Sequence, residues 1–103
     1  MQRYDIAIIG GGIVGCCIAR QLARYDMDVA VVEAANDIAC ESSKANGGLV
    51  HGGYDPEPGS MKAQVNARGC QLYSQWSQEL GFAFERPGSM VLAFNDEDRH
   101  TLD

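Results

Sequence analysis

Asp5-Ile-Ala-Ile-Ile-Gly10-Gly-Gly-Ile-Val-Gly15, followed by Val29-Ala-Val-Val-Glu33, is the stretch that decides the fold. It reads as an apolar strand, a glycine turn, a helix and a second apolar strand ending in an acid. Each glycine has a physical role in that reading. Gly10 allows a sharp exit from the first strand, Gly12 leaves room for a pyrophosphate against the backbone, and Gly15 lets the helix pack closely on the strand. The free N–H groups near Ile13 and Val14 then face an anion, helped by the positive end of the helix dipole. Glu33 lies 23 positions beyond Gly10, near the spacing of about 20 at which an acid accepts hydrogen bonds from ribose hydroxyls. An acid there repels a 2′-phosphate, which disfavours NADP. The whole βαβ frame points to the ADP half of FAD or NAD far more strongly than the glycines alone.

Other readings of the same stretch fail. Residues 6–18 are mostly apolar, as in a secretory signal. However, Asp5 precedes the run, three glycines interrupt it, and no clear small-residue cleavage site follows. The run is also too short to span a membrane.

The chain has 103 residues, 46% of them apolar, as in an ordinary globular protein. A net charge of −6 with no basic patch argues against a nucleic-acid partner. Cys16, Cys17, Cys40 and Cys70 show neither paired nor metal-ligand spacing, so reduced thiols, no metal and a cytoplasmic setting are expected. A complete doubly wound nucleotide domain needs more strands than this length supplies. Asn95-Asp-Glu-Asp98 reads as a capped helix start with no stop signal after it, so an N-terminal fragment of a larger protein is expected.

Further elements follow from pattern. The first strand is expected over Tyr4 to Ile9, the first helix from Gly12 to Tyr25, and the second strand over Asp28 to Glu33. Val14, Cys17, Ile18, Leu22 and Tyr25 recur at helical steps and predict one buried face. Residues 34–59 lack periodicity, and a loop this long is usually functional or disordered. Gly47 to Gly53 can hold a short strand. A second helix is expected from Ser60 to Leu80, with Ser60 as cap and Gly81 as stop. Its stripe is Met61, Val65, Leu72, Trp76 and Leu80, with Trp76 and Tyr73 read as core rather than flavin-stacking groups. Phe82 to Glu85 and Ser89 to Phe94 read as strands around a Pro87-Gly88 turn.

The loop after Glu33 separates FAD from NAD. Ser42-Ser43, Asn46-Gly47-Gly48 and Val50-His51-Gly52-Gly53-Tyr54 resemble the D-amino-acid-oxidase-type FAD-dependent oxidoreductases. Within that family the likeness is greatest to flavin glycerol-3-phosphate dehydrogenases and L-2-hydroxyglutarate dehydrogenases or oxidases. Pro58-Gly-Ser-Met-Lys-Ala63 and Phe84-Glu-Arg-Pro-Gly-Ser-Met-Val91 extend the resemblance over nearly the whole chain. Glu41 departs from it, since relatives often carry Gly there.

The resemblance implies an α/β fold: a Rossmann-type FAD-binding βαβ unit with the beginning of a substrate region, as an incomplete domain. Residues 1–81 would be the N-terminal part of the FAD-binding domain. Residues 82–103 would hold the first substrate-domain strands and a truncated helix. FAD would be held by Gly10, Gly12, Ile13, Val14, Gly15, Glu33, Ser42, Ser43, Gly47, Gly48 and Leu49. The serine hydroxyls suit pyrophosphate oxygens, and the bare backbone at Gly47 and Gly48 suits the edge of the isoalloxazine ring. His51 is the catalytic candidate. Flavin contact, substrate binding, proton transfer, covalent attachment and a purely structural turn all remain open for it. Tyr54 is placed near the site or in packing.

The implied parent oxidises glycerol 3-phosphate or a similar small anionic 2-hydroxy compound, passing hydride to flavin N5. Its electron acceptor, whether quinone, carrier protein or oxygen, is left open, as is peripheral membrane association of the full-length protein. An amine or amino-acid oxidase of the same family is the alternative chemistry, and a non-catalytic nucleotide-binding redox module the alternative class. The isolated fragment is expected to be inactive.

Overall fold

The computed structural model describes residues 2–100. Its elements are, in order, β1 (Ile6–Ile9), α1 (Ile13–Leu22), β2 (Val29–Val32), α2 (Met61–Leu80) and α3 (Asp96–His100). The chain divides into two compact units, Met1–Leu49 and Val50–Asp103.

The first unit is the βαβ motif. β1 and β2 pair in parallel, with Ile6 opposite Val29 and Ile9 opposite Val32. A parallel pair needs a crossover, and α1 provides it. α1 packs on both strands. Ile8, at the centre of β1, is the buried hydrophobic residue among those described.

Both strands are shorter than the pattern predicts. Tyr4 and Asp5 stand outside β1 because Asp5 bonds differently. Its carboxylate accepts the Asp28 N–H at 2.8 Å, while its own N–H donates to the Asp28 carbonyl at 2.9 Å. Those bonds clamp the start of one strand to the start of the other. α1 stops at Leu22, three residues early. Arg24 and Tyr25 wind off it through N–H bonds to Gln21 and Leu22, three residues back, the tighter turn common at helix ends.

The expected buried face of α1 is also corrected. Val14, Ile18 and Tyr25 are exposed, at 70%, 46% and 60%, and Cys17 and Leu22 are half-buried. Gly15 is the buried residue of the helix, with Ala19 and Leu22 half-buried on the same line. The close approach at Gly15 fixes which side faces the strands, and a two-stranded sheet covers only a narrow strip.

The long segment from 34 to 59 forms neither helix nor strand, so the short strand expected between Gly47 and Gly53 is not formed. In the second unit α2 begins and ends where the sequence predicts. The Ser60 hydroxyl caps it by accepting the Ala63 N–H at 3.1 Å. Gly81 closes it in the left-handed region at φ 73°, its N–H bonded to the Ser77 carbonyl. Met61, Val65 and Leu80 of the predicted stripe are exposed, whereas Leu72 and Trp76 are half-buried.

Residues 82–94 form no strand, against the two expected. A strand requires a hydrogen-bonded neighbour, and this segment instead returns along α2 through side chains. Tyr73 packs against Trp76, Phe82 and Phe84 at centroid distances of 5.9, 6.2 and 5.4 Å. Arg86 lies over the Phe84 ring and donates to the Cys70 carbonyl at 2.7 Å and the Ser74 hydroxyl at 3.0 Å. Tyr73 and Trp76, expected in the core, are instead half-buried in an aromatic cluster along α2. Asn95 caps α3 through the Asp98 N–H at 2.7 Å. No helix among the described residues is long and apolar enough to cross a membrane.

Candidate cofactor site

The site is built on the turn between β1 and α1. The Gly10 N–H continues the sheet by donating to the Val32 carbonyl at 2.8 Å, and the chain then reverses at φ +102°. That conformation is easy only for glycine. Gly15 comes so close that a Cβ there would lie 2.0 Å from the Gly10 carbonyl oxygen. This is the close packing of helix on strand that the third glycine is expected to permit.

Gly12 is the N-cap of α1 and has no side chain to cap with. Ser43, thirty residues later, does this instead: its hydroxyl accepts the Ile13 N–H at 2.8 Å. A Cβ on Gly12 would sit 3.1 Å from that hydroxyl, so the absent side chain gives the hydroxyl room to approach. The N–H groups of Val14 and Gly15 have no partner inside the helix. The first turn contains no acidic residue. Ser43 keeps its own hydroxyl hydrogen to donate. These donors lie at one helix end, which favours an anion.

Glu33 stands just beyond β2. One carboxylate oxygen accepts the Gly11 N–H at 2.6 Å and the other accepts the Ala35 N–H at 2.9 Å. These bonds, chiefly from Ala35, then Gly11 and Ala34, hold the carboxyl below its ordinary value of 4.5, while partial desolvation opposes them. Each oxygen retains a lone pair for a further donor, so the carboxylate is fixed, ionised and able to accept two hydroxyls.

Gly11 has an importance that its sequence context does not reveal. Besides donating to Glu33, its carbonyl accepts from the Ala39 N–H at 3.1 Å and the Cys16 thiol at 3.4 Å. A Cβ on it would lie 3.0 Å from the Ile38 side chain and 3.1 Å from the Glu33 carboxylate. Its only signal is its place as the middle of three glycines. Ala39, at φ 61°, is equally hidden, since no local signal marks an alanine for that region.

Asn46 is a third residue that the sequence reading leaves out of the site. Its amide donates to the Ser42 and Ser43 carbonyls at 3.1 and 2.9 Å, and its side-chain oxygen accepts the Gly48 N–H at 2.9 Å. It thereby shapes the loop that brings Ser43 to the helix. An Asn ahead of two glycines is a turn signal. Glu41, the departure from the family pattern, fits this loop: its carbonyl receives the Lys44 and Ala45 N–H groups and its side chain is exposed. Ser42 presents only its carbonyl to these bonds. Gly47 and Gly48 have open space where a Cβ would be, and Leu49 is 84% exposed.

The FAD dependent oxidoreductase family matches residues 5–103. The chain belongs to that family. It is 44% identical over 99 residues to a glycerol 3-phosphate dehydrogenase of Caloramator mitchellensis, covering 96% of this chain and 21% of that relative. It is 35% identical over 103 residues to a glycerol 3-phosphate oxidase of Mycoplasma genitalium, covering 99% of this chain and 27% of the relative. A mitochondrial L-2-hydroxyglutarate dehydrogenase of Caenorhabditis briggsae is 33% identical over 105 residues, covering 100% of this chain and 24% of the relative. The chain thus spans between 21% and 27% of these relatives' length. The family is FAD-dependent, and the donor set around Gly12 together with the fixed Glu33 carboxylate suits the phosphate and ribose of such a cofactor.

His51 belongs to the second unit, with its Nδ1 2.7 Å from the Asp55 carboxylate. Tyr54 is exposed beside it.

Proposed function

We propose that this chain supplies the ADP-binding part of a flavin dehydrogenase or oxidase that oxidises the secondary alcohol of glycerol 3-phosphate. The observation that carries the cofactor half of this reading is the arrangement at the glycine turn: the Glu33 carboxylate is held at the Gly11 N–H, beside a helix end whose first N–H is met by Ser43. Ribose hydroxyls suit Glu33, and pyrophosphate oxygens suit Ser43 and the bare helix end. Residues 1–81 are the part given to cofactor binding, with 82–103 opening the substrate region.

Bound FAD supplies an acceptor for the hydride of the substrate carbon. This chain's residues hold and orient it: Gly10, Gly12, Val14 and Gly15 at the phosphates, Ile13 through the Ser43 hydroxyl that its N–H engages, Glu33 at the ribose, Ser42 and Ser43 at the pyrophosphate, and Gly47, Gly48 and Leu49 along the ring. His51 takes the hydroxyl proton as general base.

The substrate half rests on the glycerol 3-phosphate dehydrogenase and oxidase among the relatives. A second reading, an L-2-hydroxyglutarate dehydrogenase or oxidase, is favoured by the third named relative. Anaerobic mixing of the full-length flavoprotein with each compound tests both. Bleaching of the flavin by glycerol 3-phosphate is the expected result. Bleaching by L-2-hydroxyglutarate alone selects the second reading, and a purified protein that carries no flavin overturns both.

A further inference from the structure

The pair His51–Asp55 is not explained by the glycine turn. Nδ1 of His51 lies 2.7 Å from Oδ2 of Asp55, with the two side chains 65% and 51% exposed. An exposed pair of this kind adds little to stability, so holding the fold together is a weak reason for it. The backbone around it is unusually constrained. A Cβ on Gly52 would lie 2.8 Å from the Tyr54 ring. Gly53 turns at φ +101°, and a Cβ there would lie 3.0 Å from the Ala67 backbone of α2. Asp55 precedes the buried Pro56, which restricts its backbone to extended conformations. Gly53, where an added side chain would meet the backbone of α2, and the buried Pro56 therefore constrain the four-residue step that brings the carboxylate to the ring.

The geometry points to Asp55 as the positioning residue of His51, an inference that rests on the base role proposed above. A carboxylate accepts only, so neutral His51 is held with its proton on Nδ1 and a lone pair on Nε2. The ring is also fixed in orientation. In substrate oxidation the hydroxyl proton would pass to Nε2 and the O–H electron pair would become the second carbonyl bond, with bound oxidised FAD supplying the acceptor for the carbon's hydrogen and its electron pair. His51 then carries both ring protons, and the Asp55 carboxylate faces the resulting positive charge. With the other tautomer Nε2 carries a hydrogen and cannot accept the proton.

The test uses the full-length flavoprotein, labelled with 15N-histidine. In the resting enzyme the His51 resonances, assigned by their loss in His51→Ala, are expected to show Nδ1 protonated and Nε2 bare. Asp55→Asn can pair with either tautomer and is expected to give a mixture. It should keep its FAD, slow anaerobic flavin reduction by about ten- to a thousandfold and change KM by less than about threefold. Asp55→Glu should recover part of the rate. Nε2 protonated in the wild type overturns the inference without any activity measurement. So does slow reduction in Asp55→Asn with an unchanged tautomer, which would mark a merely structural role. A wild-type rate in Asp55→Asn alongside a slow His51→Ala overturns the role of Asp55 and leaves the base in place. A wild-type rate in His51→Ala overturns the base role itself.

Discussion

Glu33 accepts the Gly11 N–H at 2.6 Å across 22 positions of sequence, tying the end of β2 to the turn after β1. The bond does two things. It orients the carboxylate, and it satisfies the N–H of a buried residue. Glu33→Ala in the full-length flavoprotein is expected to weaken FAD binding by about one order of magnitude, the loss of a charge-assisted hydrogen-bond pair. Flavin content after dialysis, with fluorescence titration of apoprotein, measures it. Unchanged retention together with tight NADPH binding would contradict the assignment.

The same bonds make stability depend on pH. The folded state holds the Glu33 carboxyl below its ordinary 4.5, through the Ala35 and Gly11 N–H groups first. The unfolded chain therefore binds the proton more readily, and stability rises with pH across that range. The contribution is fully present above 4.5 and is lost as pH falls through the lower folded value. Glu33→Gln is expected to flatten this acid limb in urea titrations carried out at successive pH values. An identical slope in the variant would place the titration elsewhere.

Gly15 and Gly12 separate folding from binding. A Cβ at Gly15 would lie 2.0 Å from the Gly10 carbonyl oxygen, a backbone atom with nowhere to go. Gly15→Ala should therefore destabilise the βαβ unit by about 1–3 kcal/mol or more, as overpacking does. At Gly12 the nearest atom is the Ser43 hydroxyl, at 3.1 Å, which can turn away. Gly12→Val should keep its far-UV circular dichroism and lose its flavin, because the side chain fills the space given to pyrophosphate. Normal flavin content in Gly12→Val would show that the phosphate lies elsewhere.

Arg86 fastens the chain after α2 by its bonds to Cys70 and Ser74 and by the Phe84 ring. The fork matters more than the charge, so Arg86→Lys cannot replace it. Faster amide hydrogen exchange over residues 82–86 in Arg86→Lys, with α2 unaffected, is the expected outcome. Equal exchange in both proteins would mean that the aromatic cluster alone holds the segment.

What the sequence reveals depends on the range of the interactions. Gly10, Gly15, Ser60 and Gly81 are legible because turn, packing and cap requirements act within a few residues. The strands expected at 82–94 rest on apolar segments around the Pro87-Gly88 turn, and a turn signal names a pair of strands without supplying the hydrogen bonds between them. The face of α1 is misjudged because periodicity gives a stripe but not the width of the sheet that covers it. Gly11 and Ala39 escape for a related reason: their partners, Glu33 and Gly11, are 22 and 28 positions away, and no local pattern encodes that meeting. Ser43 is legible as a phosphate-group candidate, yet its bond to Ile13 is not.

That bond couples the stability of α1 to cofactor binding. Ile13 begins α1, and its N–H is met at 2.8 Å by a hydroxyl from the distant loop, since Gly12 offers no cap. Ser43→Ala removes an N-cap acceptor, with an expected cost of about 1 kcal/mol in stability. It also removes the hydroxyl proposed to donate to pyrophosphate, so FAD should bind more weakly as well. Ser43→Thr retains the hydroxyl and should recover both properties to within about twofold in affinity, less than 1.4 kcal/mol. The two effects come apart experimentally. Urea denaturation of apoprotein reads the cap, and flavin titration reads the ligand. A Ser43→Ala protein that loses stability but binds FAD as the wild type would leave Ser43 as a cap for α1 and assign the pyrophosphate to Ser42 and the bare helix end.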